Sequence, residues 1–584
     1  MKKTGFSLNV SNLFQTVKKK NKTKTLLMDV NFSVNAGEFI AIVGCSGAGK
    51  TTLMNVISGY NTPSTGNVTI SGLDLNDNLD ILKGDICYVP QEEIISGDLT
   101  LQKSLEYSAL LRISDKNKEE IKLLIKEVID VLELNGCENT LVRKLSGGER
   151  KRAFIAIEML SDPKLFLLDE PTSGLDSNIE RKVMLKLRSL ADLGSTVIIT
   201  AHTVLNLKLC DKIIFMGQNG KICYYGSYED AAKYFKVKEF VEIYDVLKED
   251  TNSWFNKYQN AKYKKEKTCK KEIKSEIVAK PKVDFFTQTK TLIKRYISSL
   301  LNNKVQFTLI IGQALALGIA ICLCCPRDGF TVYPHAMMGL AAFTLAAIWV
   351  GMFNTLQEIV KEKPIFKREY MNGLRISSYL SSKIIISFVL CLYQSLVVVT
   401  LIHFYVDPRP DSILIFPAYI NLLMMFFLVA FCSSMMGLFI SAIVKKTEST
   451  LIISPVYMML QLLCSGAFIP FNTVTKVLSQ FVIGKWAIEG FGVIVNMEKV
   501  AKSEIINFDF SKLNFSSLIT SFDSIKEYIV KFASNLAYIE SASVQFAFNV
   551  SHLLSVYGVI LIHTTIFILL AIYFVRRNVK KRKL

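Results

Sequence analysis

The chain has 584 residues, 50% of them hydrophobic, with a mean hydropathy of +0.31 and a formal net charge of +18. That length is too great for one hydrophobic core, and that hydropathy excludes a disordered or wholly polar chain and calls for a membrane half. Residues 1–304 carry 46 basic and 37 acidic groups, 305–575 carry 17 and 14, and the last nine carry six basic and no acidic, so the excess lies outside the apolar half, where it fits basic loops beside membrane spans better than a nucleic-acid partner.

The N-terminal stretch MKKTGFSLNVSNLF has no continuous apolar run, so no cleavable leader is expected and the chain should start in the cytosol. Phe39 to Val43 (FIAIV) reads as a buried strand that runs into Gly44-Cys45-Ser46-Gly47-Ala48-Gly49-Lys50-Thr51-Thr52 and then a helix from near Leu53. Strand, G-x-x-x-x-G-K-T and helix together make a phosphate-binding loop: its backbone N–H groups curl around a phosphate, Lys50 neutralises phosphate oxygens and the Thr51 hydroxyl is placed to ligate Mg²⁺. Gln91 follows the strand-like run ICYV, and helical spacing in Leu99 to Ile113 and Ile121 to Leu134 predicts a helical lobe attached to this core.

Ser146 followed by Glu149 is a capping box, so a helix should begin there with Gly147 and Gly148 exposing unpaired N–H groups to an anion. It should stop at Asp162-Pro163, and Leu165 to Leu168 then reads as a buried parallel strand with Asp169 and Glu170 at its carboxyl end. Ligands bind at that edge of an open α/β sheet, so the acidic pair suggests metal and general-base chemistry. Ser195 to Thr200 is a further buried strand with His202 just past its end. Of the 12 cysteines, Cys322, Cys324 and Cys325 sit in an apolar run and read as small buried hydrophobes.

GCSGAGKTT, Gln91, LSGGERKR, LFLLDEP, SGLDS and His202 resemble, in order, the Walker A, Q-loop, signature, Walker B, D-loop and H-loop of an ABC ATPase. LSGGERKR followed by DEPTSGLDS, with this domain ahead of the membrane domain, looks like the G (White) subfamily of half-transporters. The resemblance implies an α/β P-loop ATPase followed by an all-α, six-helix membrane domain of the type II exporter kind, with ATP and Mg²⁺ as cofactors. By that likeness Lys50 and Thr51 bind phosphate and Mg²⁺, Gln91 and Asp169 support Mg²⁺, Glu170 polarises the attacking water and His202 contacts the γ-phosphate. Ser146, Gly147, Gly148 and Glu149 would serve the ATP of the other subunit, and Ser173, Gly174, Leu175 and Asp176 form the D-loop. The chain departs from the subfamily in reading TAHTV where His-Gln-Pro is usual, in having FVEIYDVLKE (Phe240 to Glu249) in place of Asn-Pro-Ala-Asp, and in offering only Phe14 as a base-stacking aromatic near the N-terminus.

The expected organisation is an ATPase domain at 1–250, a Lys-rich linker at 251–283, an amphipathic connecting helix at 284–303 and a membrane domain at 304–576, with a basic cytosolic tail at 577–584. Residues 257–282 contain ten lysines and three glutamates, a solvated tether that can attract anionic lipid headgroups. Six apolar segments near 305–325, 334–356, 379–404, 413–444, 450–470 and 552–575 are each long enough to span hydrocarbon of roughly 30 Å. Basic residues between spans two and three, between four and five, and after six place both termini in the cytosol, in the plasma membrane or an intracellular membrane. Lys361 to Lys383 resembles the subfamily's coupling segment, with Glu369 and Arg375 as contacts. The likeness also directs Ala347, Val350, Met459 and Leu462 toward a substrate cavity and puts Ala467 and Phe468 at an outer gate. Val350 falls at the subfamily's aromatic drug-stacking position, which argues against a flat aromatic substrate. The outer region 471–551 contains no cysteine and two sequons, at Asn514 and Asn549.

Two functions are compatible with this reading. One is an ATP-hydrolysing half-transporter, an obligate dimer with itself or a related chain, that exports a lipid, sterol or amphipathic xenobiotic. The other is a membrane-anchored ATPase that regulates or scaffolds a partner without moving a substrate.

Overall fold

The computed structural model describes residues 5–19, 22–202, 204, 206–265, 283–327, 333–405, 414–467, 473–506 and 545–580. The chain divides into two units, one of residues 1–302, 364–379 and 579–584 and one of residues 303–363 and 380–578.

The first unit holds two sheets. Strands β1 (Leu8–Lys19), β2 (Lys22–Val34), β4 (Thr65–Ile70) and β5 (Leu73–Asp74) form an antiparallel sheet in the order β2-β1-β4-β5. Strands β3 (Phe39–Gly44), β6 (Ile86–Val89), β7 (Leu165–Leu168), β8 (Thr196–Ala201), β9 (Lys212–Met216) and β10 (Ile222–Gly226) form the second sheet, ordered β10-β9-β3-β8-β7-β6. All its pairings are parallel except β9 with β10. Every residue of β3, β6, β7 and β8 is buried, as continuous apolar runs covered on both faces require. Alternation along β3 divides the core: Phe39, Ala41 and Val43 face one apolar cluster, and Ile40 and Ile42 face another shared with the antiparallel sheet.

Between β6 and β7, helices Leu101–Arg112 and Lys118–Val131 form the expected helical lobe, and the signature helix Gly147–Met159 follows them. Helix Thr251–Lys265 begins where the sequence suggested a tether; Trp254 packs on Phe235 at 4.9 Å and on Tyr234 at 5.6 Å, which ties its first turns to the ATPase fold. Residues 266–282 lie outside the described residues. Helix Phe285–Asn302 and the segment from Pro364 to Tyr379 also belong to this unit.

The second unit is helical. Among the described residues five helices are long and apolar enough to cross a membrane: Lys304–Cys324, Tyr333–Met371, Ile376–Tyr405, Ala418–Ile443 and Val550–Val579. The segment expected as a fifth span forms Thr447–Leu463, whose 17 residues with Pro455 inside rise roughly 26 Å, short of a hydrocarbon layer of about 30 Å. After it, Thr473–Ser479 and Ile483–Ile494 form a pair bent by 85° that together reach the length of one span, so among the described residues the count is five, or six if the pair is one broken crossing. Inside this unit Asn354 donates to Gln394 Oε1 at 2.6 Å and accepts from Gln313 at 3.1 Å, and Lys383 is held between Glu358 at 2.7 Å and Glu362 at 2.9 Å. Asn354, Gln394 and Lys383 thereby meet partners, which a low-dielectric interior demands. Phe468 and the sequon at Asn514 lie outside the described residues.

Candidate nucleotide site

The parallel sheet gathers the site. Because β3, β8, β7 and β6 are parallel neighbours, their carboxyl ends bring Gly44, Ala201-His202, Asp169-Glu170 and, two residues past Val89, Gln91 to one edge.

At the end of β3 the chain turns through Gly47 (φ +80°) and Gly49 (φ +98°), and the helix begins at Lys50, three residues earlier than its apolar spacing indicated. Gly47 has open space where a Cβ would be, whereas a Cβ on Gly49 would meet the Leu26 carbonyl at 2.8 Å, so only glycine suits both. Lys50 is 5% exposed and donates to the carbonyl oxygens of Gly44 at 2.8 Å and Cys45 at 3.3 Å. Burial pulls its ammonium below its ordinary value, against the upward pull of Glu170 and Asp169. Ser46 and Thr51 are exposed, Thr52 is half-buried and Ala48 is buried against the core. The half-buried Cys45 thiol faces the Tyr244 carbonyl at 3.8 Å.

Glu170 is buried and has a left-handed backbone (φ +53°). One carboxylate oxygen pairs with Nε2 of His202, and the other accepts from Nε2 of Gln91 at 3.0 Å. The three residues expected to share catalysis are thus in direct contact. Asp169 is fully buried; its Oδ1 accepts from the Thr200 hydroxyl at 2.6 Å, and that same hydroxyl accepts the N–H of Glu170 at 2.8 Å. The sequence did not single out Thr200, and its only signal was a polar residue near the end of a strand that turned out to adjoin β7. Asp169 Oδ2 is buried and accepts no well-formed hydrogen bond; the buried Tyr88 hydroxyl, on the neighbouring strand β6, is the other polar group beside this carboxylate. A cation suits Oδ2, and Thr51 and Gln91 add neutral oxygens. Among the described residues no group of three or more His, Cys, Asp or Glu gathers to hold a metal, so the donor set fits Mg²⁺, which uses one or two carboxylates and keeps waters and substrate phosphates, rather than a cation needing a protein cage.

The signature helix starts as its sequence requires. Ser146 Oγ accepts from the Glu149 N–H at 3.3 Å, and Glu149 Oε2 accepts from the Ser146 N–H at 2.9 Å and its hydroxyl at 2.8 Å. These bonds, the backbone one first, hold the Glu149 carboxyl below its usual range. Ser146 and Gly147 are exposed, and open space surrounds Gly147. Lys151 donates to the Ser173 carbonyl at 2.9 Å and Leu175 lies against Gly148, so the D-loop is fixed to this helix; Gly174 (φ +78°) makes the turn and Asp176 caps the next helix at Ile179 N.

Glu158, in the last turns of the signature helix, is fully buried and takes a bidentate pair from Arg112 at 2.9 and 3.0 Å. Asn372 donates to it at 3.0 Å, and Arg368 approaches at 3.6 Å while also donating to the Ile94 carbonyl at 2.7 Å, three residues after Gln91. The sequence pointed to Glu369 and Arg375 in this segment. Glu369 is buried and pairs with Arg295, but Arg375 is exposed and contributes through its backbone, its N–H donating to Gln288 Oε1 at 3.1 Å. Arg368 is the residue that joins the segment to both the signature helix and the Gln91 loop.

In the second unit Ala347 and Val350 are fully buried in the helical core, Met459 is exposed and Leu462 is half-buried; one chain does not bring the four to a common cavity. Ala467 packs against the core. The exposed aromatic surface of helix Tyr333–Thr355 is the stacked pair Trp349 and Phe353, 4.6 Å apart, rather than the position of Val350.

Residues 27–173 match the family model described as ABC transporter, and residues 287–495 match the one described as ABC-2 type transporter. The ABC transporter ATP-binding/permease protein Rv1747 of Mycobacterium tuberculosis is 30% identical over 457 residues, 76% of this chain and 53% of that protein. ABC transporter G family member 22 of Arabidopsis thaliana is 38% identical over 222 residues, 36% of this chain. The chain thus spans 53% and 29% of the lengths of these two relatives. Among solved structures, that titled as the dimeric structure of MJ0796, a bacterial ABC transporter cassette, is 28% identical and covers 38% of this chain and 98% of its own, with a TM-score of 0.36.

Proposed function

Since the chain is an ABC transporter, a nucleotide-binding ATPase domain joined to an ABC-2 type membrane domain, we propose that it is a G-type half-transporter that dimerises and uses ATP hydrolysis to export a hydrophobic or amphipathic substrate. The observation that carries this reading is the direct contact of Glu170 with both Gln91 and His202 at the sheet edge that also holds the phosphate loop. A purely structural cassette has no need of a carboxylate so placed.

In this mechanism Lys50 and the N–H groups of Gly44 to Thr52 bind the ATP phosphates. Mg²⁺ held at Asp169, Thr51 and Gln91 would neutralise phosphate charge. Glu170 accepts a proton from the attacking water, and His202, its neighbour, contacts the γ-phosphate. The helix start at Ser146 and Gly147 is exposed with open space at Gly147, which suits a phosphate brought by a second subunit. Closure of the two ATPase domains reaches Arg368 through the Gln91 loop and Glu158, and that segment continues into the membrane helices. Both termini face the cytosol.

Trp349 and Phe353 present flat apolar area suited to a lipid, sterol or amphipathic compound. The test is ATP-dependent flux of such compounds in vesicles reconstituted with the purified chain alone. Flux supports a pump that works as a homodimer; hydrolysis without flux of any compound supports the membrane-anchored regulator instead.

A further inference from the structure

Thr200 lies two residues before His202 and is 1% exposed. Its hydroxyl makes two bonds, donating to Asp169 Oδ1 at 2.6 Å and accepting from the Glu170 backbone N–H at 2.8 Å. These two acidic residues have different expected duties, and a single oxygen atom on the neighbouring strand holds both.

The first bond fixes which face of the Asp169 carboxylate remains available. With Oδ1 engaged by Thr200, Oδ2, which accepts no well-formed hydrogen bond, is the atom left for a cation, with the buried Tyr88 hydroxyl as the carboxylate's other polar neighbour. The second bond supports an unfavourable backbone: Glu170 is a non-glycine residue at φ +53°, a conformation that persists only when its surroundings enforce it. Satisfying its N–H in a buried place is part of that enforcement. The same backbone conformation sends the Glu170 side chain to Gln91 and His202. Residues that hydrogen-bond a ligand in this way typically change metal affinity or activity by about 10–100-fold when removed.

We propose that Thr200 is the positioning residue of this ATPase site: its hydroxyl orients Asp169 toward Mg²⁺ and holds Glu170 in the conformation that reaches Gln91 and His202. Thr200 acts through these two neighbours and touches no substrate. The proposal rests on the reading of Asp169 and Glu170 as the metal and water residues of the site.

The experiment compares Thr200→Val, which keeps the shape and loses the hydroxyl, with Thr200→Ser, which keeps the hydroxyl. Both are made in the full chain carrying Glu170→Gln, so that bound ATP is not consumed, and equilibrium ATP binding is titrated with and without Mg²⁺. The expected result is that Thr200→Val binds ATP like its parent without Mg²⁺ but needs at least about tenfold more Mg²⁺ to reach half of its metal-dependent gain, while Thr200→Ser restores the parental curve. In the otherwise unmodified chain, Thr200→Val should lower kcat with little change in KM. If Thr200→Val does not fold, Thr200→Ala is titrated in its place, with thermal melting to show that it is folded. An unchanged Mg²⁺ requirement in the hydroxyl-free variant, an equal loss of binding with and without Mg²⁺, or failure of Thr200→Ser to rescue would each overturn the proposal. Absence of any Mg²⁺-dependent ATP binding in the parent would instead overturn the reading of the site itself.

Discussion

Arg368 Nε lies 3.6 Å from Glu158 Oε1, with both side chains almost completely withdrawn from solvent. Arg112 shares the same carboxylate from the other side, so one buried negative charge is balanced between two guanidinium groups. Removing the carboxylate leaves Arg112 without its bidentate partner and Arg368 with only Glu369, 3.7 Å away, a loss of about 3–5 kcal/mol when one partner of a buried pair is deleted. Glu158→Ala is therefore expected to lower the thermal unfolding midpoint of the ATPase unit measurably; an unchanged midpoint would show that the cluster is not held by charge.

Arg368→Lys keeps the charge and loses the fork that reaches Glu158 and the Ile94 carbonyl together. Basal ATP hydrolysis in detergent should stay close to wild type, and stimulation by transported compounds in vesicles should disappear. If stimulation survives intact, the signal between the halves does not pass through this residue.

Lys50→Met removes the only cation that the phosphate loop itself contributes. A hydrogen bond to a charged group contributes about 1.5–3 kcal/mol, so ATP affinity should fall roughly ten- to a hundredfold, read by equilibrium nucleotide binding. Wild-type affinity would place the phosphates away from Lys50.

Trp349 and Phe353 are exposed and stacked at 4.6 Å on a helix whose other large side chains are mostly buried. Replacing both with alanine should raise the substrate concentration needed for half-maximal ATPase stimulation roughly two- to tenfold, in line with about 0.5–1.5 kcal/mol for an aromatic contact, without changing the unstimulated rate. An unchanged half-maximal concentration would assign the pair to lipid contact instead.

Much of the ATPase fold is legible because its signals are local. Leu165–Leu168 is a four-residue apolar run and forms β7 over those residues; Ser146 and Glu149 satisfy each other as a capping box can only at a helix start. The helix expected from Ile121 begins at Lys118, because Asn117 and Glu120 make a second capping box in a stretch that apolar spacing does not register. Thr200 and Glu158 were not legible for a different reason. Thr200 matters only because β8 lies beside β7 in the folded sheet, and Glu158 looks like an ordinary helical charge until Arg112 and Arg368 arrive from 46 residues before it and 210 after. Arg375 and Arg368 are equally plausible as letters, and burial alone separates them. In the membrane half, composition marks apolar helices but not their ends: the segment expected at 450–470 forms Thr447–Leu463 with Pro455 inside, and a bent pair, Thr473–Ser479 with Ile483–Ile494, follows it in the region expected to be outer.

The measurement closest to the central claim compares wild type with Glu170→Gln, each reconstituted alone in vesicles, for ATP binding, ATP hydrolysis and ATP-dependent movement of a lipid or amphipathic compound. A general base contributes about 10²–10⁴-fold, so the account predicts that the variant binds ATP like wild type, hydrolyses it at least about a hundredfold more slowly and sustains no continuous transport. Hydrolysis and flux at the wild-type rate in Glu170→Gln would contradict it.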